Sequence, residues 1–247
     1  MTWWADLYDD ALADVLLERT DATATARTIA FLRRVLAVEP GDRVLDQCCG
    51  IGSLAIPFAR EGFELLGVDQ AAGYIRRAIA AARAADVDAR FFIGDAFAWR
   101  PERMCNAAFN WWTSFGYAAR DADNVKMLKR AADAIVPGGR FALDFLNVPQ
   151  VLRGFRPTVT IERAGIVLTR ETTLDLAAGT MRKTWRYTLP DGTTPIRTSA
   201  LRIYMPSQLV ELLRASGFDD IELFGDEDGS PLTLDSPRCI AVAVKLA

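Results

Sequence analysis

The residues that could do chemistry in this chain begin with Asp46, Gly50, Gly52 and Asp69. The run Val44-Leu45-Asp46-Gln47-Cys48-Cys49-Gly50-Ile51-Gly52 is a short apolar stretch that breaks into a turn holding two glycines, and small and apolar residues from Ser53 to Ala59 continue it as a helix. Leu65-Leu66-Gly67-Val68-Asp69 then reads as a second buried strand ending in a carboxylate. A glycine turn lets backbone approach a nucleotide, and an acid roughly 20 residues later suits a ribose diol. A dinucleotide turn would place glycines at three fingerprint positions so that a pyrophosphate sits on a helix N-terminus. Here an acid heads the turn and cysteines occupy glycine positions. Asp46 would repel a pyrophosphate and attract a cationic amino-acid tail.

That chemistry favours S-adenosylmethionine over NAD. At this point the chain resembles the class I S-adenosylmethionine-dependent methyltransferases, small-molecule members that act on amino sugars and related natural products in particular. The resemblance rests on Asp46…Gly50-x-Gly52, on Gly67-Val68-Asp69, on Gly94-Asp95-Ala96-Phe97 and on Pro137-Gly138-Gly139-Arg140-Phe141, in this order and at these separations. It departs at Cys48, where the family often has glycine; a small thiol there is a mild change. The resemblance implies that Asp69 holds the ribose hydroxyls, that Asp46 holds the amino group of the cofactor, and that Gly50 and Gly52 admit the methionine moiety. Asp95 would face the adenine amino group, with Ala96 or Phe97 bordering the ring. Cys48, Gln70, Asn110 and Trp111 complete the expected cofactor set.

The elements that must position these residues alternate. Strands read near Val44–Asp46, Leu65–Asp69, Arg90–Ile93, Ala107–Trp111 and Phe141–Leu146, and helices near Thr23–Val38, Ala71–Ala85 and Asn124–Ile135. Such alternation means a parallel sheet covered by helices on both faces, with ligands beyond the carboxyl ends of the strands. From Thr158 to Tyr204 the pattern changes to short Thr-, Val-, Ile- and Arg-rich runs with turns at Ala164-Gly165, Ala178-Gly179 and Pro190-Asp191-Gly192, a β-meander of four strands. A helix over Gln208–Ala215 and strands at Ile221–Phe224 and Cys239–Lys245 follow. The expected fold is α/β: a Rossmann-like, doubly wound, mostly parallel seven-stranded sheet with an antiparallel last strand pair and an inserted antiparallel meander. Residues 1–150 and 205–247 would form the cofactor-binding domain, and 155–204 a sheet that covers the substrate and joins subunits, as it does in related natural-product enzymes.

The acceptor pocket is expected around Asn110-Trp111-Trp112-Thr113-Ser114-Phe115-Gly116-Tyr117, which leaves the fourth strand. Its aromatic density fits an acceptor with apolar faces, and one of the two tryptophans belongs to the core because adjacent strand residues point to opposite faces. Trp3, Trp4 and Tyr8 form a second aromatic cluster, which the resemblance makes a lid. Tyr8, Tyr117 and Phe115 are the candidate substrate-facing residues. Arg153, Arg156, Arg197 and Arg202 would suit a carboxylate or phosphate acceptor if several faced inward, although solvated strand faces are the commoner outcome. The polar run from Asp226 to Arg238 reads for the most part as a surface hairpin.

Composition excludes several mechanisms. The chain has no histidine, so it has no Ser–His or Cys–His nucleophile, no His base and no His-ligated metal. Methyl transfer from a sulfonium tolerates this, because alignment of the nucleophile supplies most of the acceleration. An amine need only be neutral and aimed; a phenol or carbon acceptor would need a proton acceptor. The expected reaction is therefore methylation of an amine nitrogen in a small molecule. O- or C-methylation and cofactor binding without transfer are the alternatives, and an NAD-dependent oxidoreductase is disfavoured by Asp46. A net charge of −3, the absence of a basic run and the absence of an Asn/Asp-Pro-Pro-aromatic run after the fourth strand argue against a nucleic-acid partner. No stretch is apolar enough to span a bilayer, and Met1–Tyr8 lacks the features of a signal peptide. Four cysteines without a C-x-x-C pair predict a reduced, cytoplasmic enzyme. The inserted sheet leaves edge strands, which predicts self-association as a homodimer or higher homo-oligomer.

Overall fold

The computed structural model of the chain describes residues 7–246. Strands β1 (Arg43–Gln47), β2 (Glu64–Asp69), β3 (Ala89–Ile93), β4 (Cys105–Asn110), β5 (Ile135–Leu146), β10 (Phe218–Phe224) and β11 (Arg238–Lys245) form a seven-stranded sheet in the order β10-β11-β5-β4-β1-β2-β3. The first five strands pair in parallel, and β11 runs antiparallel to both β5 and β10. This is the expected Rossmann-like arrangement. β5 begins earlier than the sequence suggested, because Pro137-Gly138-Gly139 lies within the strand.

All five residues of β1 are buried, as a central strand covered on both faces requires. Alternate residues serve opposite faces. Val44, Leu65 and Phe109 pack with Ile29, Phe31 and Leu32 of α2 (Ala22–Leu36), Phe58 of α3 (Ala55–Ala59) and Ile75 of α4 (Ala72–Ala85). Leu45, Leu66, Phe141 and Leu143 pack with Met127 and Leu128 of α5 (Asp121–Ala134) and with Leu209 and Leu213 of a later helix, Pro206–Arg214. Strand order reverses at β1, which is flanked by β2 on one side and β4 on the other. A crevice opens at the carboxyl ends where the order reverses.

A short helix α1 (Asp10–Leu12) runs directly into a π-helical turn, Ala13–Leu17. Asp9 caps α1 by accepting from the Leu12 N–H at 2.9 Å. After a short α6 (Val148–Arg153), strands β6 (Thr158–Arg163), β7 (Ile166–Asp175), β8 (Thr180–Thr188) and β9 (Ile196–Arg202) form a separate antiparallel sheet in sequential order. The β6–β7 hairpin turns on Ala164 and Gly165, at φ 53° and 73°, the positive pair that a two-residue primed turn demands. The helix Pro206–Arg214, α7, then returns the chain to the main sheet.

The four-stranded sheet lies over the N-terminal segment. Ile166, Leu168, Trp185 and Tyr187 bury Leu7, Leu12 and Val15 beneath them. Arg163 donates to the carbonyls of Val15 and Glu18 at 3.3 and 2.6 Å, satisfying orphan acceptors at a helix end. The segment between β10 and β11 is not a free hairpin. Thr28 donates to Glu227 at 2.8 Å, and Asn147 donates to the carbonyls of Thr233 and Ser236 at 2.9 and 2.8 Å, so α2 and the residue that follows β5 both anchor it. No helix among the described residues is long and apolar enough to cross a membrane.

Candidate active site

A cavity of about 460 Å³ lies beyond the carboxyl ends of β1, β2 and β4, roofed by the four-stranded sheet, within the range of ligand sites. Asp46 reaches it from the end of β1, paired in register with Gly67 on β2 and Phe109 on β4. Its side chain is 3% exposed and no hydrogen bond reaches the carboxylate among the described residues. Burial, and then the charge of Asp69, push its pKa well above the usual carboxylate range. A buried carboxylate without a partner is costly and marks a place for a cation.

Asp69 ends β2 and splits its two oxygens between neighbouring backbones. One accepts from the Gly50 N–H at 3.0 Å and the other from the Ala71 N–H at 2.9 Å. Burial raises this carboxyl although the Ala71, Gly50 and Gln70 N–H groups oppose the shift. The acid therefore fixes the glycine loop and the start of α4 while lining the cavity. Gly50 (φ 55°) and Gly52 (φ 78°) occupy the left-handed region. Gly50 lines the cavity; Gly52 does not, since a Cβ there would point at the Phe91 ring, 3.0 Å away. Gly52 admits core packing rather than a ligand. Cys48 is also left-handed, at φ 67°, which accounts for glycine being favoured at this position. Its thiol lines the cavity, and burial, Asp69 and Asp46 hold it protonated.

Gln70, Asp95, Ala96, Phe97 and Trp111 line the same cavity. Asp95 accepts from the Phe97 N–H at 2.9 Å, so its loop is locally braced. Asn110, expected to line the site, is fully buried behind it. It donates to Gln47 at 3.3 Å, and Gln47 donates to the Met127 carbonyl at 3.1 Å, which ties the ends of β1 and β4 together. Trp111 contributes one face to the core against Phe31 and Phe109. Trp112 turns the other way, at φ 55°, with the Arg19 guanidinium 4.9 Å from its ring. Thr113 follows at φ 61°. Two successive non-glycine residues in this region store strain of the kind found at functional sites.

Tyr8 and Tyr117 meet on the cavity wall, ring centroids 6.3 Å apart and nearly perpendicular. Burial raises both hydroxyls above their usual range, so both stay protonated. Phe115, the third expected substrate-facing residue, is instead 0% exposed and packs on Phe145 and Tyr204. The left-handed residues at 112 and 113 break the strand alternation, so residue 115 turns into the core. Trp3 and Trp4 lie outside the described residues.

The four arginines singled out from the sequence do not line the cavity. Arg153 pairs with Asp235 at 2.6 Å, Arg202 pairs with Asp121 at 2.9 Å, Arg197 lies 3.7 Å from Asp9, and Arg156 is exposed. Sequence reasoning missed the groups that do line it, Arg238, Arg170 and Lys183. Arg238 donates to both oxygens of the buried Asp144 at 2.6 Å and to Thr113 at 2.9 Å, while Asp144 accepts from the Trp112 N–H at 2.8 Å. This pair clamps the strained loop. Its one sequence signal is a carboxylate inside the apolar run Phe141–Leu146.

The residues present fit S-adenosylmethionine. The unpartnered Asp46 carboxylate suits its ammonium group, and backbone at Gly50 leaves the approach open. Residues 44–139 match a family model described as a methyltransferase domain. Among solved structures, the CcbJ methyltransferase from Streptomyces caelestis superposes with a TM-score of 0.80 at 20% identity, over 100% of this chain and 99% of that one. An S-adenosylmethionine-dependent methyltransferase from Clostridium acetobutylicum ATCC 824 gives 0.81 at 13% identity, over 98% and 99%. CalS10, an amino pentose methyltransferase from Micromonospora echinaspora with S-adenosylmethionine bound, gives 0.66 at 18% identity, over 97% and 96%. A curated relative, the 23S rRNA (uracil(1939)-C(5))-methyltransferase RlmD of Xanthomonas campestris pv. campestris (strain 8004), is 36% identical over 78 residues, 31% of this chain. The match spans 18% of the length of that relative. Residues 44–139 thus match a methyltransferase domain, and the chain shares the fold of solved S-adenosylmethionine-dependent methyltransferases, with a cavity whose lining suits that cofactor.

Proposed function

We propose that the chain methylates an amine nitrogen of a small, natural-product-like molecule held between the cofactor loops and the four-stranded sheet. The observation that carries this reading is the make-up of the cavity wall, where the Tyr8 and Tyr117 rings meet 6.3 Å apart in a chain without histidine. Tyr8 and Tyr117 are both held protonated by burial, and the chain has no histidine, so the wall offers hydrogen bonds rather than a strong base. Such a site suits a nucleophile that reacts once neutral and aimed. The cationic groups above it disfavour an ammonium and so keep an amine acceptor in its reactive form.

When bound, S-adenosylmethionine supplies an electrophilic methyl group. Asp46 then holds the ammonium, Asp69 the ribose hydroxyls, and Asp95 the adenine amino group. Ala96, Phe97 and Gln70 border the nucleoside, and Cys48, Gly50 and Trp111 enclose the methionine end. Tyr8 and Tyr117 orient the acceptor. Residues 155–204 act as a cover over the acceptor. The outer edge of β6 has no paired strand among the described residues, which supports self-association as a dimer through that edge. Names of the solved neighbours include amino-sugar and sugar N-methyltransferases, which agrees with an amine acceptor. The curated relatives named for rRNA methylation share too small a part of their length to bring an RNA substrate to this chain.

The test is release of S-adenosylhomocysteine from labelled cofactor against matched panels of small amines, phenols and activated carbon acceptors. Turnover with amines supports the proposal. Turnover confined to phenols or carbon acids contradicts it, and binding without any turnover would leave a cofactor-binding protein of the same fold.

A further inference from the structure

The roof of the cavity carries uncompensated positive charge. On β7 and β8, Arg170 stands directly opposite Trp185, and Lys183 lies two residues along the same strand, opposite Ser199 on β9. Side chains alternate along a strand, so Arg170, Lys183, Trp185 and Ser199 share one face, the one turned to the cavity, and all four line it. Met181, Trp185 and Tyr187 on this face are buried while Arg182 and Arg186 on the other are exposed. A lysine in the middle of such a face needs a partner.

None is present among the described residues. No carboxylate pairs with Arg170 or Lys183, and the buried Nε of Arg170 has no hydrogen-bond partner. Both cations lie near the Trp185 ring, at 5.6 and 5.7 Å from its centroid, and that indole is fixed by its N–H donating to Ser199 at 2.9 Å. Arg238 approaches the same cavity from β11, but its charge is already balanced by Asp144. Burial, then Arg170, then Arg238 push the Lys183 ammonium down to about 8. Two desolvated cations over an aromatic plane, with no anion of the protein's own, form a receptor for one.

We infer that the acceptor carries an oxyanion group, a carboxylate or a phosphate, bound by Arg170 and Lys183 beneath the four-stranded sheet with Arg238 at its margin. This rests on the methyltransferase reading above and narrows its substrate class. The oxyanion is held at the roof and the nucleophile points down toward Tyr8, Tyr117 and the cofactor loops. Trp185 and Trp112 flank the apolar body between them.

The test uses benzoate, phenyl phosphate and the neutral benzyl alcohol as probes, read by isothermal titration calorimetry, on free protein and on protein loaded with S-adenosylhomocysteine. The wild type should bind at least one anionic probe ten-fold or more tighter than benzyl alcohol. Whichever of benzoate and phenyl phosphate binds more tightly assigns the group. Lys183→Met together with Arg170→Gln should remove that preference, while affinity for S-adenosylhomocysteine stays within two-fold, which also shows that the variant is folded. Lys183 faces Arg170 and Arg238 and no acid, so wild-type affinity for the anion should fall as pH rises through about 8, and Lys183→Met should abolish that dependence. Equal binding of neutral and anionic probes to the wild type, or an unchanged preference in the double variant, overturns the inference. Failure of the wild type to bind S-adenosylhomocysteine would instead strike the methyltransferase reading, and the probes on free protein still decide the roof.

Discussion

Asp46 and Asp69 stand at the carboxyl ends of adjacent parallel strands, Asp46 buried and Asp69 half-buried, and the charge of Asp69 helps to hold Asp46 above its ordinary pKa. Asp69 is compensated by two backbone N–H groups at 2.9 and 3.0 Å; Asp46 is not. The site therefore keeps an electrostatic deficit that a cationic ligand removes.

The first prediction concerns that deficit. A carboxyl whose folded pKa lies above its unfolded value binds protons more tightly when folded. Stability of the free protein thus falls as pH rises from near 3.8 to the raised value, and is level above it. Asp46→Asn removes the penalty, so the free variant should melt a few degrees (~2–4 °C) higher at neutral pH. It should also bind S-adenosylmethionine roughly 10- to 100-fold more weakly, as expected for loss of a charged hydrogen bond. Thermal melts and calorimetry on the same samples check both. A variant that is less stable and binds normally would contradict the assignment.

The Asp144–Arg238 clamp gives a second. Arg238→Met leaves Asp144 buried beside the strained Trp112–Thr113 turn and should cost about 3 kcal/mol in urea denaturation. Asp144→Asn combined with Arg238→Met removes both charges and should cost less than the single change. Equal or additive losses would show that the pair does not act as a unit.

Phe115 and Tyr117 separate core from site. Phe115→Ala should lose about 3 kcal/mol or more of stability, the usual result of emptying a fully buried aromatic position. Tyr117→Phe should keep stability within roughly 1 kcal/mol while raising the acceptor KM. Denaturation and steady-state kinetics on the two variants distinguish them, and the opposite pattern would return Phe115 to the acceptor site.

Gly67→Ala probes the packing beneath the loop. A Cβ at this position would lie 2.5 Å from the Phe91 ring and 2.8 Å from the Cys49 sulfur. Overpacking of this kind should cost about 1–3 kcal/mol, measured by denaturation, with weakened cofactor binding because the Cys49–Gly50 turn must shift. A neutral substitution would mean that the strand yields more easily than the contacts imply.

The sequence was legible where local pattern and tertiary role coincide. Asp46 ends a run too apolar for anything but a central strand, and Gly67-Val68-Asp69 couples a close packing requirement to an acid at a strand end. The same holds for the meander, whose turns carry their own residue signals at Gly165 and Gly192. The acceptor roof was not legible. Lys183 sits in an alternating run whose polar face a reader assigns to solvent, and its inward register depends on which face the rest of the fold covers. Arg238 and Asp144 are 94 residues apart and meet only because β11 lies antiparallel to β5. Phe115 turned inward because the backbone at Trp112 and Thr113 leaves the extended region, which changes the parity of everything that follows.

The most direct test of the central claim is calorimetric titration of S-adenosylmethionine, S-adenosylhomocysteine and NAD into the wild type and Asp69→Ala. The site described here predicts dissociation constants on the order of micromolar for both adenosyl ligands, loss of that binding in the variant and no NAD binding. Binding of NAD alone, or adenosyl binding indifferent to Asp69, would contradict it.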